Sequence, residues 1–154
     1  MTRQKPPVIE GRIPNTHEIY NLDDPDVQNR LGLNPEVCLK IADEYDHYSH
    51  CKWAVIEYKS RSLKNSVEQI EDTAKQLSDA QREIHFAIIV TRRINRNESS
   101  LYGKRKNILY NKITKKPVLV RTGSESVVVN IYEPNEIDEQ YEEYNKGLGP
   151  WVSK

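Results

Sequence analysis

WAVIEYKS (residues 53–60) is followed closely by SLKNSVEQIEDTAKQLSDAQRE (62–83) and HFAIIVT (85–91). These three stretches decide the fold. Trp53 to Ile56 is a short apolar run of the kind that starts a strand inside a core. In the second stretch Leu63, Val67, Ile70, Ala74 and Leu77 recur at spacings of four and three, so they line one face of a helix. Ser66 and Gln69 have the spacing of a capping box, and Glu71 precedes Lys75 by one turn in the favourable order. Residues 85–91 are continuous and rich in β-branched side chains, as in a strand covered on both faces. A strand, a helix and a second buried strand joined by short connections require a crossover and at least one parallel pair.

The flanking sequence extends this unit. VCLKIADEYD (37–46) reads as a strand that turns polar at its end, and HYSHC (47–51) as a turn. A hairpin centred near residue 50 sets Asp43 across from Glu57, with Asp46 closer to the turn. LDDPDVQNRLG (22–32) predicts a short helix with Asp24 as N-cap, Pro25 at its first position, Asp26 near the positive end of the dipole and Gly32 as its stop. Residues 1–16 hold three prolines and no periodicity, which predicts an extended arm. PVLVR (117–121) and SVVVNIY (126–132) are strand candidates separated by TGSE, a hairpin signal. Residues 133–154 form an acidic possible helix and a loose tail. The expected architecture is one α/β domain over 1–154, with a mixed central sheet and flanking helices.

Composition narrows the class. The chain has 154 residues, 30% charged and 36% hydrophobic, which suits one domain with a modest core. No apolar run approaches the roughly 20 residues of a bilayer span, and the N-terminal stretch lacks the apolar segment of a signal peptide. The expectation is a soluble, intracellular (cytoplasmic) protein with no membrane partner. Two cysteines, Cys38 and Cys51, do not make a disulfide framework; they can pair with each other, or be buried thiols, which is the favoured reading. The zero net charge hides an asymmetry: residues 92–121 carry ten bases and one acid, Glu98, whereas 133–143 carry six acids and no base. Such a segment favours an anionic partner.

Glu57 and Lys59 project from one face of their strand, above Val55 and Trp53. A carboxylate at the end of a core strand needs a cation or a hydrogen-bond network to stay charged. One reading is a strand end emerging into solvent with a weak surface pair. The other joins Glu57 to the acids of the preceding strand, Asp43, Glu44 and Asp46. Carboxylates converging from neighbouring strands suit a hard cation such as Mg²⁺ or Mn²⁺. A lysine beside them suits phosphodiester hydrolysis, in which a metal-bound water attacks phosphorus.

Asp43, a gap of thirteen residues, then Glu57-Tyr58-Lys59, followed by a helix and a strand, resembles the PD-(D/E)xK nuclease superfamily. Ser60-Arg61 is similar to archaeal Holliday-junction resolvases of that superfamily, and Gln69 to a glutamine that some members carry on the helix after E-x-K. The resemblance covers residues 37–91. It departs in having no proline before Asp43, since Pro25-Asp26 lies far upstream, and in offering only Glu18 for an early-helix glutamate. It implies a restriction-endonuclease-like core, a DNA endonuclease using Mg²⁺ or Mn²⁺ on branched or structured DNA, and a homodimer. It also implies Asp43 and Glu57 as metal ligands, with the Tyr58 carbonyl a third and Asp46 the alternative to Asp43. Lys59 would then assist the attacking water, and Gln69 would orient Lys59 or a phosphate.

The basic segment supplies the matching surface. Arg61, Arg92, Arg93, Arg96, Lys104, Arg105 and Lys106 are candidates for phosphate contacts, and Tyr102 and Tyr110 for stacking on unpaired bases. Tyr102-Gly103 reads as the flexible tip of a loop. The acidic segment 133–143 reads as a solvated helix, or as a partner that screens the basic segment. Two alternatives stand beside the nuclease. The chain can be a non-catalytic DNA- or RNA-binding protein using 92–121, or Cys38, His47, His50 and Cys51 can hold zinc, although their spacing is irregular for zinc. There is no Gly-rich phosphate loop, G-x-S-x-G elbow or H-E-x-x-H.

Overall fold

A computed structural model describes residues 18–34, 41–49, 52–58, 62–92, 94, 98–137 and 152–153. The first elements are β1 (Glu18–Asn21), α1 (Pro25–Leu31), β2 (Glu44–Ser49), β3 (Lys52–Tyr58), α2 (Leu63–Asp79) and β4 (Phe86–Val90). They are followed by β5 (Tyr102–Arg105), β6 (Ile108–Asn111), β7 (Lys116–Pro117), β8 (Leu119–Thr122), β9 (Glu125–Tyr132) and β10 (Val152–Ser153). Residues 134–137 add one helical turn. The class is α/β with a mixed open sheet, in the order β10-β1-β2-β3-β4-β9-β6-β5, with β7 on β6 and β8 on β9. Strands β3, β4 and β9 run parallel; β1–β2, β2–β3, β5–β6, β6–β9 and β8–β9 are antiparallel. Among the described residues no helix is long and apolar enough to cross a membrane.

The local chemistry explains the two helices. Asp24 caps α1 by accepting the Asp26 N–H at 2.9 Å, and Pro25 occupies the first turn. Gly32 ends α1 at φ 85°, where the Gly32 N–H reaches Asn29 O and the Leu33 N–H reaches Gln28 O. A Cβ on Gly32 would lie 2.9 Å from the Ala80 Cβ, so closeness as well as handedness demands glycine. In α2 the expected apolar face is buried in full: Leu63, Val67, Ile70, Ala74 and Leu77. Each fully buried Leu or Ile is worth roughly 1.5–3 kcal/mol. The helix starts a turn earlier than the Ser66–Gln69 pattern suggests. Its N-cap is Ser62, extended at φ −132° and ψ 156°, whose Oγ accepts the Asn65 N–H at 3.1 Å. Ser66 is instead buried against the sheet.

Two segments differ from their sequence reading. The strand expected from residue 37 begins only at Glu44, and 35–40 lie outside the described residues. Residues 41–43 are irregular, with the Ala42 N–H donating to Thr73 Oγ1 at 2.8 Å rather than to a neighbouring strand. Tyr102-Gly103 is not a loop tip but the start of β5, hairpin-paired with β6. Its two-residue turn, Lys106-Asn107, has positive φ at both positions (48° and 65°), the geometry that matches strand twist. Gly103 is buried because the Tyr110 ring lies on it; a Cβ there would fall 2.4 Å from Tyr110 Cζ.

The sheet has two covered faces. On one, α2 packs with Tyr45, Val55, Ala87, Ile89, Val129 and Ile131. On the other, Ile19, Ala54, Ile56, Tyr58, Ile88 and Val90 pack with Tyr132 and Ile137.

Candidate active site at the carboxyl edge of the sheet

Strand β3 hydrogen-bonds to β2 with Glu44 opposite Ile56 and Tyr45 opposite Val55. One step further along this ladder Asp43 comes alongside Glu57. The Asp43 backbone is fixed on both sides: its N–H donates to Ile56 O and its C=O accepts the Leu22 N–H, each at 3.0 Å. Its side chain continues the ladder, since Oδ2 accepts the Tyr58 N–H at 2.7 Å where a strand carbonyl would otherwise serve. The preceding residue is tied to α2 through Thr73. Three elements therefore position Asp43.

Asp43, Glu44, Asp46 and Glu57 are all buried, none more than 1% exposed. Directly opposed residues share a face, so Glu57 lies with Val55 and Ile89 on the α2 side. Glu44 and Asp46 oppose Ile56 and Ala54, which puts them on the other face beside Tyr58. Asp46 is therefore no substitute for Asp43 next to Glu57; the two-residue period of the strand sends it to the opposite side. The Tyr58 hydroxyl donates to Glu44 Oε1 at 3.1 Å. Burial, with Glu44, Asp46 and Asp43 adding to it, holds the Tyr58 phenol well above its usual pKa.

Parallel register aligns Glu57 with Ile89 and Ile131, and Tyr58 with Val90 and Tyr132. Strand β6 begins at this same edge, with Ile108 opposite Asn130 and the Asn107 C=O accepting the Ile131 N–H. The carboxyl edge therefore gathers Asp43, Glu57, the start of α2, Arg92 and the β5–β6 hairpin end, with Lys104 and Arg105 on β5 and Lys106 in the turn. The β6 end of that turn is three strand spacings from β3, about 14 Å. In open α/β sheets ligands bind outside such an edge.

The basic turn is partly engaged. Lys104 Nζ contacts Glu136 Oε1 at 3.0 Å, and Asn107 Nδ2 donates to Glu136 Oε2 at 3.1 Å. Burial opposes ionisation of Glu136, but the Glu133 N–H, Asn107 and Lys104 outweigh it and hold the carboxyl below its usual range. An acidic residue of 133–143 thus screens the basic segment within the chain. Arg105 lies over the Tyr110 ring, 5.1 Å from its centroid. Burial, with Glu98, Glu71 and Glu68 adding to it, holds the Tyr102 phenol above its usual pKa. Glu98 Oε2 accepts the Leu63 N–H at the start of α2.

Gln69 is half-buried nearly two turns inside α2. The described part of Glu18 is its place in β1. Lys59, Ser60, Arg61, Arg93 and Arg96 lie outside the described residues, as do Cys38, His50 and Cys51 of the zinc alternative and the arm 1–16. His47 is stacked on Trp53 with ring centroids 4.8 Å apart. Among the described residues no group of three His, Cys, Asp or Glu side chains is placed to hold a metal. Sequence reasoning missed Thr73, whose role depends on a backbone N–H that pattern alone does not locate. Comparison of the chain with known family models, with curated proteins and with solved structures gives no match.

Proposed function

We propose that this protein is a metal-dependent endonuclease that hydrolyses DNA phosphodiester bonds, with a restriction-endonuclease-like core and Mg²⁺ or Mn²⁺ as cofactor. The observation that carries the reading is the bond between Asp43 and the Glu57–Tyr58 peptide, with both carboxyl groups buried at the carboxyl edge. Burying two carboxylates side by side is costly unless a cation or strong donors accompany them. Mg²⁺ asks for only one or two carboxylates and keeps several waters, so Asp43, Glu57 and the Tyr58 carbonyl fit it. When bound, the metal supplies an acidified water and neutralises phosphate charge. Asp43 and Glu57 hold it, Lys59 assists the attacking water, and Gln69 orients Lys59 or a phosphate. Arg92, Lys104, Arg105 and Lys106 bind the backbone along the same edge. Duplex cleavage needs two such sites, hence a homodimer.

A second reading is a nucleic-acid-binding protein without catalysis. The lack of a three-ligand group among the described residues favours it. The test is incubation with branched, duplex and single-stranded DNA and Mg²⁺ or Mn²⁺, beside Glu57→Gln and Lys59→Ala. Cleavage by the wild type that both variants lose, with binding retained, supports the enzyme. Binding without cleavage on every substrate leaves the binding protein.

A further inference from the structure

At the end of β3 away from Glu57, aromatic side chains from three adjacent strands gather on the α2 face. Tyr45 and Trp53 stack with centroids 4.7 Å apart and planes 16° apart. Tyr20 joins them at 6.1 Å from Trp53 and 6.4 Å from Tyr45, each at 24°. The cross-strand register explains this, since Tyr20 opposes Tyr45 and His47 opposes Trp53. Tyr45 is buried, and its hydroxyl is tied to Glu83 O at 2.6 Å. Tyr20 and Trp53 are only half-buried. With Tyr45, Gln81, Arg82 and Glu83 they line a pocket of about 300 Å³.

The wall contributed by 81–83 is the segment that closes the C-terminal end of α2, just past its last residue. The Gln81 N–H donates to Ser78 O and the Arg82 N–H to Leu77 O, at 2.9 and 2.8 Å. This helix end normally takes glycine at its left-handed position. Here Gln81 holds it at φ 63°, so a polar side chain lines the pocket at a conformational cost that glycine avoids. Arg30 lies over the Tyr20 ring, 5.9 Å from its centroid, and Arg82 Nη2 donates to Arg30 O at 3.1 Å. Two guanidinium groups therefore border the aromatic surface.

We propose that this pocket binds an unpaired nucleobase of a single strand. The volume lies at the lower limit of ligand pockets, suited to one planar ring system. Tyr20, with the part of Trp53 that Tyr45 and His47 leave uncovered, supplies the stacking surface, Gln81 an amide donor and acceptor for the base edge, and Arg30 and Arg82 the charge for flanking phosphates. Trp53 and Glu57 lie on one strand, four residues or about 13 Å apart, with α2 packed over Val55 between them, so the pocket is a separate site from the carboxyl edge. The inference extends the nucleic-acid reading of the carboxyl edge, but it concerns binding alone and does not depend on cleavage.

The experiment is fluorescence anisotropy with a labelled single-stranded oligonucleotide, run in metal-free buffer so that catalysis does not intervene. A second oligonucleotide of equal length and charge carries abasic sites throughout. Base-dependent stacking predicts affinity for the normal strand higher by about 5- to 100-fold, accompanied by tryptophan quenching. Trp53→Leu should lose that preference, with some loss of stability because Trp53 also packs on Tyr45 and His47. Gln81→Gly, which suits the left-handed backbone, should weaken binding without loss of stability. Equal affinity of the wild type for normal and abasic strands overturns the proposal, and so does a preference that Trp53→Leu and Gln81→Gly both retain. Absence of cleavage in the presence of metal bears only on the nuclease reading.

Discussion

Asp43 Oδ2 accepts the backbone N–H of Tyr58 at 2.7 Å, so a side chain forms the last rung of the β2–β3 ladder. The consequence is a separation of structure from charge. Asp43→Asn keeps an oxygen for the Tyr58 N–H but removes one buried negative charge. The expected outcome is an unfolding midpoint equal to or above that of the wild type. Metal-dependent cleavage should fall by at least the roughly 10- to 100-fold that loss of an outer-shell metal partner costs. Asp43→Ala loses the rung as well and should be less stable by about 1–3 kcal/mol. Urea denaturation and a cleavage assay on the same preparations check both; a fully active Asp43→Asn would remove Asp43 from the site.

Thr73 holds the segment that leads into Asp43. Its Oγ1 accepts the Ala42 N–H at 2.8 Å, and both groups are buried. Thr73→Val preserves shape but leaves a buried donor unsatisfied, at a cost of about 1–3 kcal/mol. Thr73→Ser restores the acceptor and should recover most of that stability. Activity should follow the same order, because Thr73 acts only by positioning. Equal denaturation midpoints for Thr73→Val and the wild type would show that the bond does not matter.

Much of this arrangement is legible in the sequence, and the reasons are local. The opposition of Asp43 and Glu57 follows from a hairpin centred near residue 50, and the register obeys it even though β2 starts later than its apolar run. Helix α2 is visible because every position of its apolar stripe is buried. The β5–β6 hairpin is not visible. Its strands are four residues each, rich in charge, and its turn uses Lys106-Asn107 where Asn-Gly would announce it. The pairing of Gly103 with the Tyr110 ring makes a strand of what glycine suggests is a loop. The face of Asp46 is legible by the same rule, since three residues from Asp43 the period of two puts it on the opposite side.

The basic turn should report its own screening. Lys104 is paired with Glu136, while Lys106 is exposed at the turn. Glu136→Gln removes the competing carboxylate and should tighten DNA binding a few-fold at low salt, in keeping with the small worth of exposed ion pairs. Lys106→Ala should weaken binding on all sequences and lower the salt slope by about one. Titrations at several salt concentrations measure both effects. A salt slope unchanged in Lys106→Ala would exclude this turn from phosphate contact.

Alkaline pH should expose the buried phenols. Tyr45 and Tyr58 are both raised above 10.0, chiefly by burial. Below pH 10 the folded and unfolded chains both keep these protons. As pH rises past 10 the unfolded chain releases them while the folded chain holds them, so stability declines from there upward. Denaturation midpoints between pH 8 and 11 should fall in the wild type. Tyr58→Phe should be less stable at pH 8, because Glu44 loses a buried donor, but should decline less steeply. Parallel pH curves for the two proteins would contradict the raised phenol.

The two helix ends make opposite predictions from one motif. Both α1 and α2 close with paired bonds around a left-handed residue, Gly32 at φ 85° and Gln81 at φ 63°. Gly32→Ala pays the left-handed penalty, about 1–2 kcal/mol, and also drives a Cβ to within 2.9 Å of the Ala80 Cβ. Backbone movement to relieve that contact would disturb the bond from Arg82 to Arg30 O, so the measured loss should exceed the penalty alone. Gln81→Gly relieves the same penalty and should raise the unfolding midpoint, offset in part by the greater freedom of glycine in the unfolded chain. Thermal and urea unfolding of the two variants should therefore move in opposite directions. A loss of stability in Gln81→Gly would show that the Gln81 side chain contributes more to the fold than its backbone costs.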